Sequence, residues 1–71
     1  MNTKISLEAC RVNAGMNQSE WGKKLGVART TVFNWEQGYS EPTASQLRTI
    51  SELSTIPIEF IFVPKKSKNV G

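Results

Sequence analysis

The apolar residues along this chain recur at spacings of three and four residues, which is the period of helices that bury one face. The first such pattern contains Ile5, Ala9 and Val12. Ser6 is a suitable residue to cap the start of this helix. Gly15 is suited to end it, because glycine readily adopts the left-handed conformation that closes a last turn. The pattern therefore predicts a first helix between Ile5 and Gly15.

A second helix is predicted to begin at Asn17. Its side chain can cap the helix, and Glu20 three residues later completes a capping-box pattern. Trp21 and Leu25 are four residues apart, so we expect them on one face. Gly26 interrupts the pattern and marks the expected end of the helix.

A third helix is predicted to follow Ala28 and to end at Gly38. Val32 and Trp35 are three residues apart and form its expected inner face. About three residues that include a glycine join it to the second helix, and this spacing is the signature of a helix-turn-helix. Gly22 lies inside the second helix, where glycine costs about 1 kcal/mol relative to alanine, which indicates a close backbone approach. An ordinary corner between two helices uses the same residues.

A fourth helix is predicted after the loop YSEP. Thr43 and Gln46 form a second capping-box pattern. Leu47, Ile50 and Leu53 then continue at helical spacing, so we expect this helix to pack its apolar side on the other three.

The segment PIEFIFV is predicted to form a fifth short helix, with Pro57 in its first turn. It carries more apolar surface than one short helix buries on its own core. This surplus favours a dimer interface formed by Pro57, Ile58, Phe60 and Phe62. A strand and complete burial in a small core are the alternatives. The predicted fold is all-α with five short helices, in one domain over residues 1–64 followed by a basic, flexible tail over 65–71.

Composition excludes several classes of site. The chain has one cysteine, Cys10, and no histidine, so it has neither an internal disulfide nor the ligands of a cysteine–histidine zinc site. No metal or cofactor site is evident, and neither paired carboxylates in a cleft-like context nor a glycine-rich phosphate loop is visible, so we do not expect an enzyme. No apolar run approaches the roughly 20 residues that span a bilayer, and no signal peptide is apparent. We expect a cytoplasmic protein without membrane contact.

The net charge of +3 and the pI near 9.4 permit a polyanionic partner without requiring one. Three of the nine positive charges lie in the tail, at Lys65, Lys66 and Lys68, which leaves the rest of the chain nearly balanced. Bulk charge is therefore weak support for nucleic-acid binding, and the motif residues must carry that prediction.

The motif residues resemble the lambda-repressor-like helix-turn-helix family, which includes phage repressors, Cro proteins and bacterial xenobiotic-response-element regulators. The resemblance extends from residue 5 to about residue 62 and rests on Arg11, Gly15, Gln18, Leu25, Gly26, Val27, Arg29, Val32, Trp35, Glu36, Gly38, Pro42 and Leu47. The chain departs from the family at three places. The family often has Leu-Ala at Trp21–Gly22, Ser or Thr at Ala28, and Leu-Gly near Ser54–Thr55.

The resemblance implies that the third helix enters the DNA major groove. At about 100° per residue, one side of this helix carries Arg29, Thr30, Phe33 and Asn34. Arginine can make two hydrogen bonds to guanine and asparagine two to adenine, and threonine suits a thymine methyl group. Phenylalanine suits apolar contact with thymine methyl groups or sugars. These four residues are the predicted base readers. A merely solvated polar face, with one exposed aromatic residue, is the alternative.

The resemblance also implies backbone contacts and one structural ion pair. A glutamine at the place of Gln18 binds a phosphate and braces the first reading residue in similar proteins. The predicted phosphate contacts are Asn17, Gln18, Thr31, Trp35, Tyr39 and Ser40, of which Trp35 is also a core residue. Arg11 and Glu36 are expected to form a salt bridge between the first and third helices.

The predicted function is sequence-specific transcription regulation on double-stranded DNA. Because the chain lacks room for a second domain, it is expected to be a phage Cro-like protein or a small repressor that binds palindromic operators as a homodimer. The dimer could form only on DNA, and no small-molecule ligand is evident. The alternative is a protein-interaction module on the same fold, such as an antitoxin or adaptor. Phe33, an apolar residue on a face expected to be wet, favours this alternative, and the polar reading face opposes it.

Overall fold

The computed structural model describes residues 4–65. Within this range the chain forms four α-helices, one 3-10 turn and two very short strands. In chain order these are β1 (Ile5–Ser6), α1 (Leu7–Asn13), α2 (Gln18–Leu25), α3 (Arg29–Gln37), α4 (Ala44–Ser54), the 3-10 turn Ile58–Phe60 and β2 (Ile61–Phe62). The fold is thus mostly helical, with one fewer α-helix than the sequence predicts.

The helices α1, α2 and α4 begin at the residues whose side chains were predicted to cap them. The Ser6 hydroxyl accepts a hydrogen bond from the Ala9 amide at 3.0 Å. At α2, the Asn17 side chain accepts from the Glu20 amide while the Glu20 carboxylate accepts from the Asn17 amide, which completes the expected capping box. Thr43 and Gln46 form the same reciprocal pair at α4. These bonds satisfy amide groups that have no partner inside the helix.

The core lies between the four helices and β2. Its buried apolar residues come from α1, α2, α3, α4 and β2, and are Leu7, Cys10, Trp21, Val32, Trp35, Ile50 and Ile61. The predicted inner faces of α2, α3 and α4 are therefore confirmed. The prediction for α1 is wrong, because Ala9 and Val12 face solvent, with Val12 60 % exposed, and Leu7 and Cys10 are the buried positions.

The predicted fifth helix is also wrong. Pro57 precedes a single 3-10 turn, and the chain then extends into β2, which pairs in parallel with β1 in the register Ile5 to Ile61 and Ser6 to Phe62. Pairing with β1 favours an extended chain here, because it supplies inter-strand hydrogen bonds to the backbone of this segment. An extended chain instead buries Ile61 and turns Phe62 outward, as alternation along a strand requires. The strand alternative is the better description of this segment.

The end of α4 adopts an unusual backbone conformation. Thr55 has φ +59°, the one positive φ of a non-glycine residue between residues 4 and 65. Two polar side chains stabilise this corner: the Asn13 amide donates to the Ser54 carbonyl at 2.9 Å, and the Ser51 hydroxyl donates to the Ile56 carbonyl at 2.6 Å. The departure from the family's Leu-Gly pattern thus places a β-branched residue where glycine is favoured.

None of the helices formed by residues 4–65 is long and apolar enough to cross a membrane. The predicted basic tail lies outside the described residues except for Lys65, whose ammonium lies 3.2 Å from the Glu41 carboxylate on the exposed surface.

Candidate nucleic-acid interface

The turn between α2 and α3 is held closed by backbone geometry. Gly26 has φ +73°, and the Val27 amide donates to the Gly22 carbonyl at 2.9 Å. A Cβ atom at Gly22 would lie 2.7 Å from the Val27 carbonyl oxygen, closer than real Cβ contacts allow. Glycine at this position therefore lets the turn lie directly against α2, which explains why the helix keeps a residue of poor helical propensity.

The start of α3 has no side-chain cap. Ala28 occupies the capping position, and only its carbonyl takes part, accepting from the Thr31 amide at 3.0 Å. The first turn of α3 contains no acidic residue. The positive end of the helix dipole is therefore not offset by a carboxylate from its own first turn, which suits an approach to phosphate groups.

The two sides of α3 differ sharply in exposure. Val32 and Trp35 are buried against the core. Arg29, Thr30 and Phe33 are exposed on the other side, and Asn34 is half-buried. The four predicted base readers therefore lie on one element, three of them open to solvent.

A buried ion pair fastens α1 to α3. The Arg11 Nε donates to Glu36 Oε2 at 2.7 Å and Nη2 donates to Oε1 at 3.3 Å, while Nη1 donates to the Met16 carbonyl at 3.0 Å. The side chains of Arg11 and Glu36 are only 12 % and 4 % exposed. The hydrogen bonds to Glu36 raise the pKa of the Arg11 guanidinium, against the lowering effect of burial. The pair expected from the resemblance is present in the structure.

The same carboxylate positions the start of α2 beside α3. Gln18 Nε2 donates to Glu36 Oε1 at 3.0 Å. The side-chain oxygen of Gln18, Oε1, therefore points away from Glu36 and accepts from Arg29 Nη1 at 3.4 Å. Four side chains thus form one chain of contacts from Arg11 through Glu36 and Gln18 to Arg29. Gln18 keeps a second amide hydrogen for another acceptor.

The remaining predicted phosphate contacts are distributed around this network. Asn17 uses its side-chain oxygen to cap α2. Thr31 is half-buried, and Ser40 is exposed in the loop that follows α3. The amides of Tyr39 and Ser40 donate to the Asn34 carbonyl at 2.9 and 3.4 Å, which keeps this loop against the end of α3. Trp35 lies almost entirely in the core, so its side chain offers little surface to a ligand.

Two contacts in this network could not be predicted from sequence. Gln18 and Glu36 are 18 residues apart, and no spacing rule links a glutamine to a carboxylate at that distance. The Met16 carbonyl is a backbone group, so residue type carries no signal for its bond to Arg11. Both contacts arise only when α1, α2 and α3 meet.

The chain is similar in sequence to known helix-turn-helix proteins. A helix-turn-helix family model matches residues 7–61. Two curated relatives, an uncharacterized HTH-type transcriptional regulator of Sinorhizobium medicae (strain WSM419) and one of Rhizobium meliloti (strain 1021), are each 33 % identical over 52 residues. The match covers 73 % of this chain but only 37 % of each relative, so the chain spans well under half the length of these proteins.

No solved structure matches the chain significantly. The family model nevertheless covers most of the chain. The matched residues include the turn closed by Gly22 and Gly26, the buried side of α3 and the Arg11–Glu36 pair. The chain therefore belongs to the lambda-repressor-like helix-turn-helix family.

Proposed function

We propose that this chain is a sequence-specific DNA-binding transcription regulator that places α3 in the major groove. The observation that carries the proposal is the division of α3 into a buried apolar side and an outward side with Arg29, Thr30 and Phe33 exposed. A helix of this diameter fits the roughly 12 Å width of the major groove. The names of the two relatives, both HTH-type transcriptional regulators, agree with this role.

Arg29 and Asn34 are the proposed hydrogen-bonding base readers. The Arg29 guanidinium has donors beyond the one it directs at Gln18, and its fork matches the O6 and N7 acceptors of guanine. Asn34 has the donor and acceptor that match adenine, and Thr30 supplies a hydroxyl and a methyl group. The hydrogen bond from Arg29 to Gln18 partly orients the arginine, which reduces the side-chain entropy that the arginine would lose on contact with a base.

The proposed phosphate contacts lie on both sides of α3. Asn17 and Gln18 begin α2, Thr31 lies in α3, and Tyr39 and Ser40 follow it. Such contacts fix the register of a protein on DNA but carry no sequence information. Trp35 contributes at most its indole N–H, since the ring is core.

Dimerisation is proposed through the segment that contains β2. Ile58, Phe60 and Phe62 are 40 %, 50 % and 49 % exposed, and Pro57 is exposed beside them. Within residues 4–65 the sheet has only two strands, so β2 is paired with β1 on one side alone. A two-fold axis would set β2 antiparallel to its copy while covering these apolar side chains.

Two copies would also read more base pairs than one reading helix can. One reading helix contacts only a few base pairs, whereas a two-fold dimer places two helices about 34 Å apart, one DNA turn, on a near-palindromic site. Binding of this kind suits a phage Cro-like protein or a small repressor, with the dimer forming in solution or only on DNA.

The decisive experiment is selection of bound sequences from random duplex DNA, followed by titration of the selected site. Arg29→Ala is expected to cost about 1–3 kcal/mol and to relax the preference at one base pair. Arg48→Ala removes the same charge from the exposed surface of α4 and is the matched control. Tyr39→Phe should weaken binding to all sequences alike. Unchanged affinity and base preference in Arg29→Ala would refute the assignment.

Salt dependence separates this function from that of a protein-interaction module, which the exposed Phe33 would also suit. DNA binding should weaken steeply as salt rises, because neutralised phosphates release counterions. If no duplex is enriched and no salt-dependent binding is seen, the interaction module becomes the better description.

Sedimentation on a full operator tests the dimer. Two chains per DNA are expected for the wild type, and Phe60→Asp or Phe62→Asp should reduce cooperative binding while circular dichroism shows that the helices remain. Val12→Asp introduces the same charge at another exposed apolar residue and should leave the stoichiometry unchanged. One chain per operator at saturation would rule the dimer out.

A further inference from the structure

Phe33 is the one apolar residue on the outward side of α3 whose exposure has no explanation within the described fold. It is 42 % exposed, although α3 has a buried side that holds Val32 and Trp35. On a helix, Phe33 is adjacent to Thr30 and Arg29, which are three and four residues before it. A large aromatic ring therefore stands among the residues proposed to meet base edges.

The major groove offers few apolar partners for such a ring. Base edges there present hydrogen-bond donors and acceptors, and the exception among the four standard bases is the C5-methyl group of thymine. Phenylalanine has no hydrogen-bonding group, so its ring recognises the methyl group by contact and exclusion of water alone.

The position along the helix limits where this methyl group lies. Four residues advance a helix by about 6 Å, and one base step advances DNA by about 3.4 Å. If α3 follows the groove, the contact of Phe33 falls one or two base pairs away from that of Arg29.

We propose that Phe33 is a specificity-determining residue that reads the C5-methyl group of a pyrimidine, one or two base pairs from the guanine read by Arg29. The proposal rests on the DNA-binding function proposed above and assigns a base-reading role to one residue of α3. Thymine and 5-methylcytosine carry the same methyl group at the same place and differ at position 4, where a phenyl ring makes no hydrogen bond. Phe33 therefore responds to the methyl group, whichever pyrimidine carries it.

The first experiment removes only the methyl group. In the selected site, each thymine is replaced in turn by deoxyuridine, and the Kd is measured by fluorescence anisotropy at fixed salt. One position per half-site should weaken wild-type binding about fourfold, the worth of one buried methyl-sized group. Phe33→Ala should bind the thymine site more weakly by at least that factor and should show no further loss with deoxyuridine at that position.

The second experiment exchanges the source of the methyl group. At the position found, the thymine–adenine pair is replaced by cytosine–guanine, with the cytosine either unmodified or methylated at C5. Methylation should tighten wild-type binding about fourfold and leave Phe33→Ala unchanged. A wild type that gains nothing from cytosine methylation would overturn the shared recognition of both pyrimidines.

Two controls keep the result specific. Val12→Ala truncates an exposed apolar residue on α1, away from α3, and should retain the full response to deoxyuridine. Phe33→Leu keeps an apolar side chain and should retain part of the response. Circular dichroism shows whether each variant has the wild-type helix content.

The proposal is wrong if every deoxyuridine duplex binds the wild type as tightly as the thymine duplex, or if Phe33→Ala is as sensitive as the wild type. In both cases specific DNA binding persists, so the proposed function survives. Failure of the proposed function looks different, because then no duplex sequence is selected at all.

Discussion

Glu36 is the residue whose replacement tests the central network most directly. Its carboxylate accepts two hydrogen bonds from Arg11 and one from Gln18, at 2.7, 3.3 and 3.0 Å. Glu36→Gln preserves the size of the side chain but removes its charge. The new amide oxygen can still accept from Arg11, but the amide NH2 group then faces a donor of Arg11 or Gln18. The nearest remaining negative charge to this guanidinium, which is 12 % exposed, is the exposed Glu8 carboxylate at 3.9 Å.

The expected loss of stability is large for a chain of this size. Breaking one partner of a buried pair costs about 3–5 kcal/mol, and the remaining access of Arg11 to solvent and Glu8 places this case near 3 kcal/mol. A domain of 71 residues has a total stability of about 4–11 kcal/mol, so much of it would disappear. The midpoint of thermal unfolding should fall by about 12–24 °C.

Urea unfolding, followed by far-ultraviolet circular dichroism and tryptophan fluorescence, measures this loss. Glu52→Gln makes the same change at an exposed glutamate of α4 and should alter stability by less than about 0.5 kcal/mol. Arg11→Met alone should also be costly, because it leaves the Glu36 carboxylate buried. The double variant should lose less than the sum of the two, with a coupling of about 1.5–3 kcal/mol. A Glu36→Gln variant as stable as Glu52→Gln, or strictly additive losses, would refute the structural role of the pair.

Three further predictions concern the turn, the end of α4 and the buried thiol. Gly22→Ala should destabilise the fold by about 1–3 kcal/mol, because the alanine Cβ would lie 2.7 Å from the Val27 carbonyl oxygen. This loss should exceed the gain from the better helix propensity of alanine, and an equal or higher urea midpoint would contradict it. Thr55→Gly should stabilise the protein by up to about 1 kcal/mol, because φ +59° strains a β-branched residue, and a lower midpoint would show that the threonine hydroxyl matters more. Burial raises the pKa of the Cys10 thiol against the lowering effect of its bond to Ser54, so the unfolded chain loses this proton at lower pH than the folded one. The contribution of this thiol to stability should therefore be fully present below its pKa in the unfolded chain and should be lost as pH rises through its higher pKa in the folded protein. Urea unfolding over a range of pH should show this decline in the wild type, and Cys10→Ala should lack it.

Much of the fold is local and was predictable from sequence for that reason. A capping box needs only residues three apart, so Asn17–Glu20 and Thr43–Gln46 identify two helix starts without tertiary information. The buried side of α3 follows from the spacing of Val32 and Trp35 in the same way. The candidate site was predictable as far as the residue types on α3, because hydrogen-bonding capacity belongs to the side chain itself.

Other features depended on groups that are distant in sequence. In α1, both Val12 and Cys10 are apolar enough to be buried, and only packing against α3, α4 and β2 places Cys10 inside. Residues 57–63 carry the composition of either a helix or a strand, and the available partner β1, more than 50 residues earlier in the chain, selects the strand.

Sequence by itself determined where α1, α2 and α4 begin, which residues face outward on α3, and which family the motif indicates. Caps, helical period and residue chemistry are properties of short segments. Only the tertiary structure decided that the Glu36 carboxylate accepts hydrogen bonds from both Arg11 and Gln18. The same packing directs the side-chain oxygen of Gln18 toward Arg29. The physical reason is that a buried carboxylate must have its acceptors filled by whichever donors the packed helices bring to it. Residues 11, 18 and 36 come from three different helices, and no local pattern in the chain encodes their meeting.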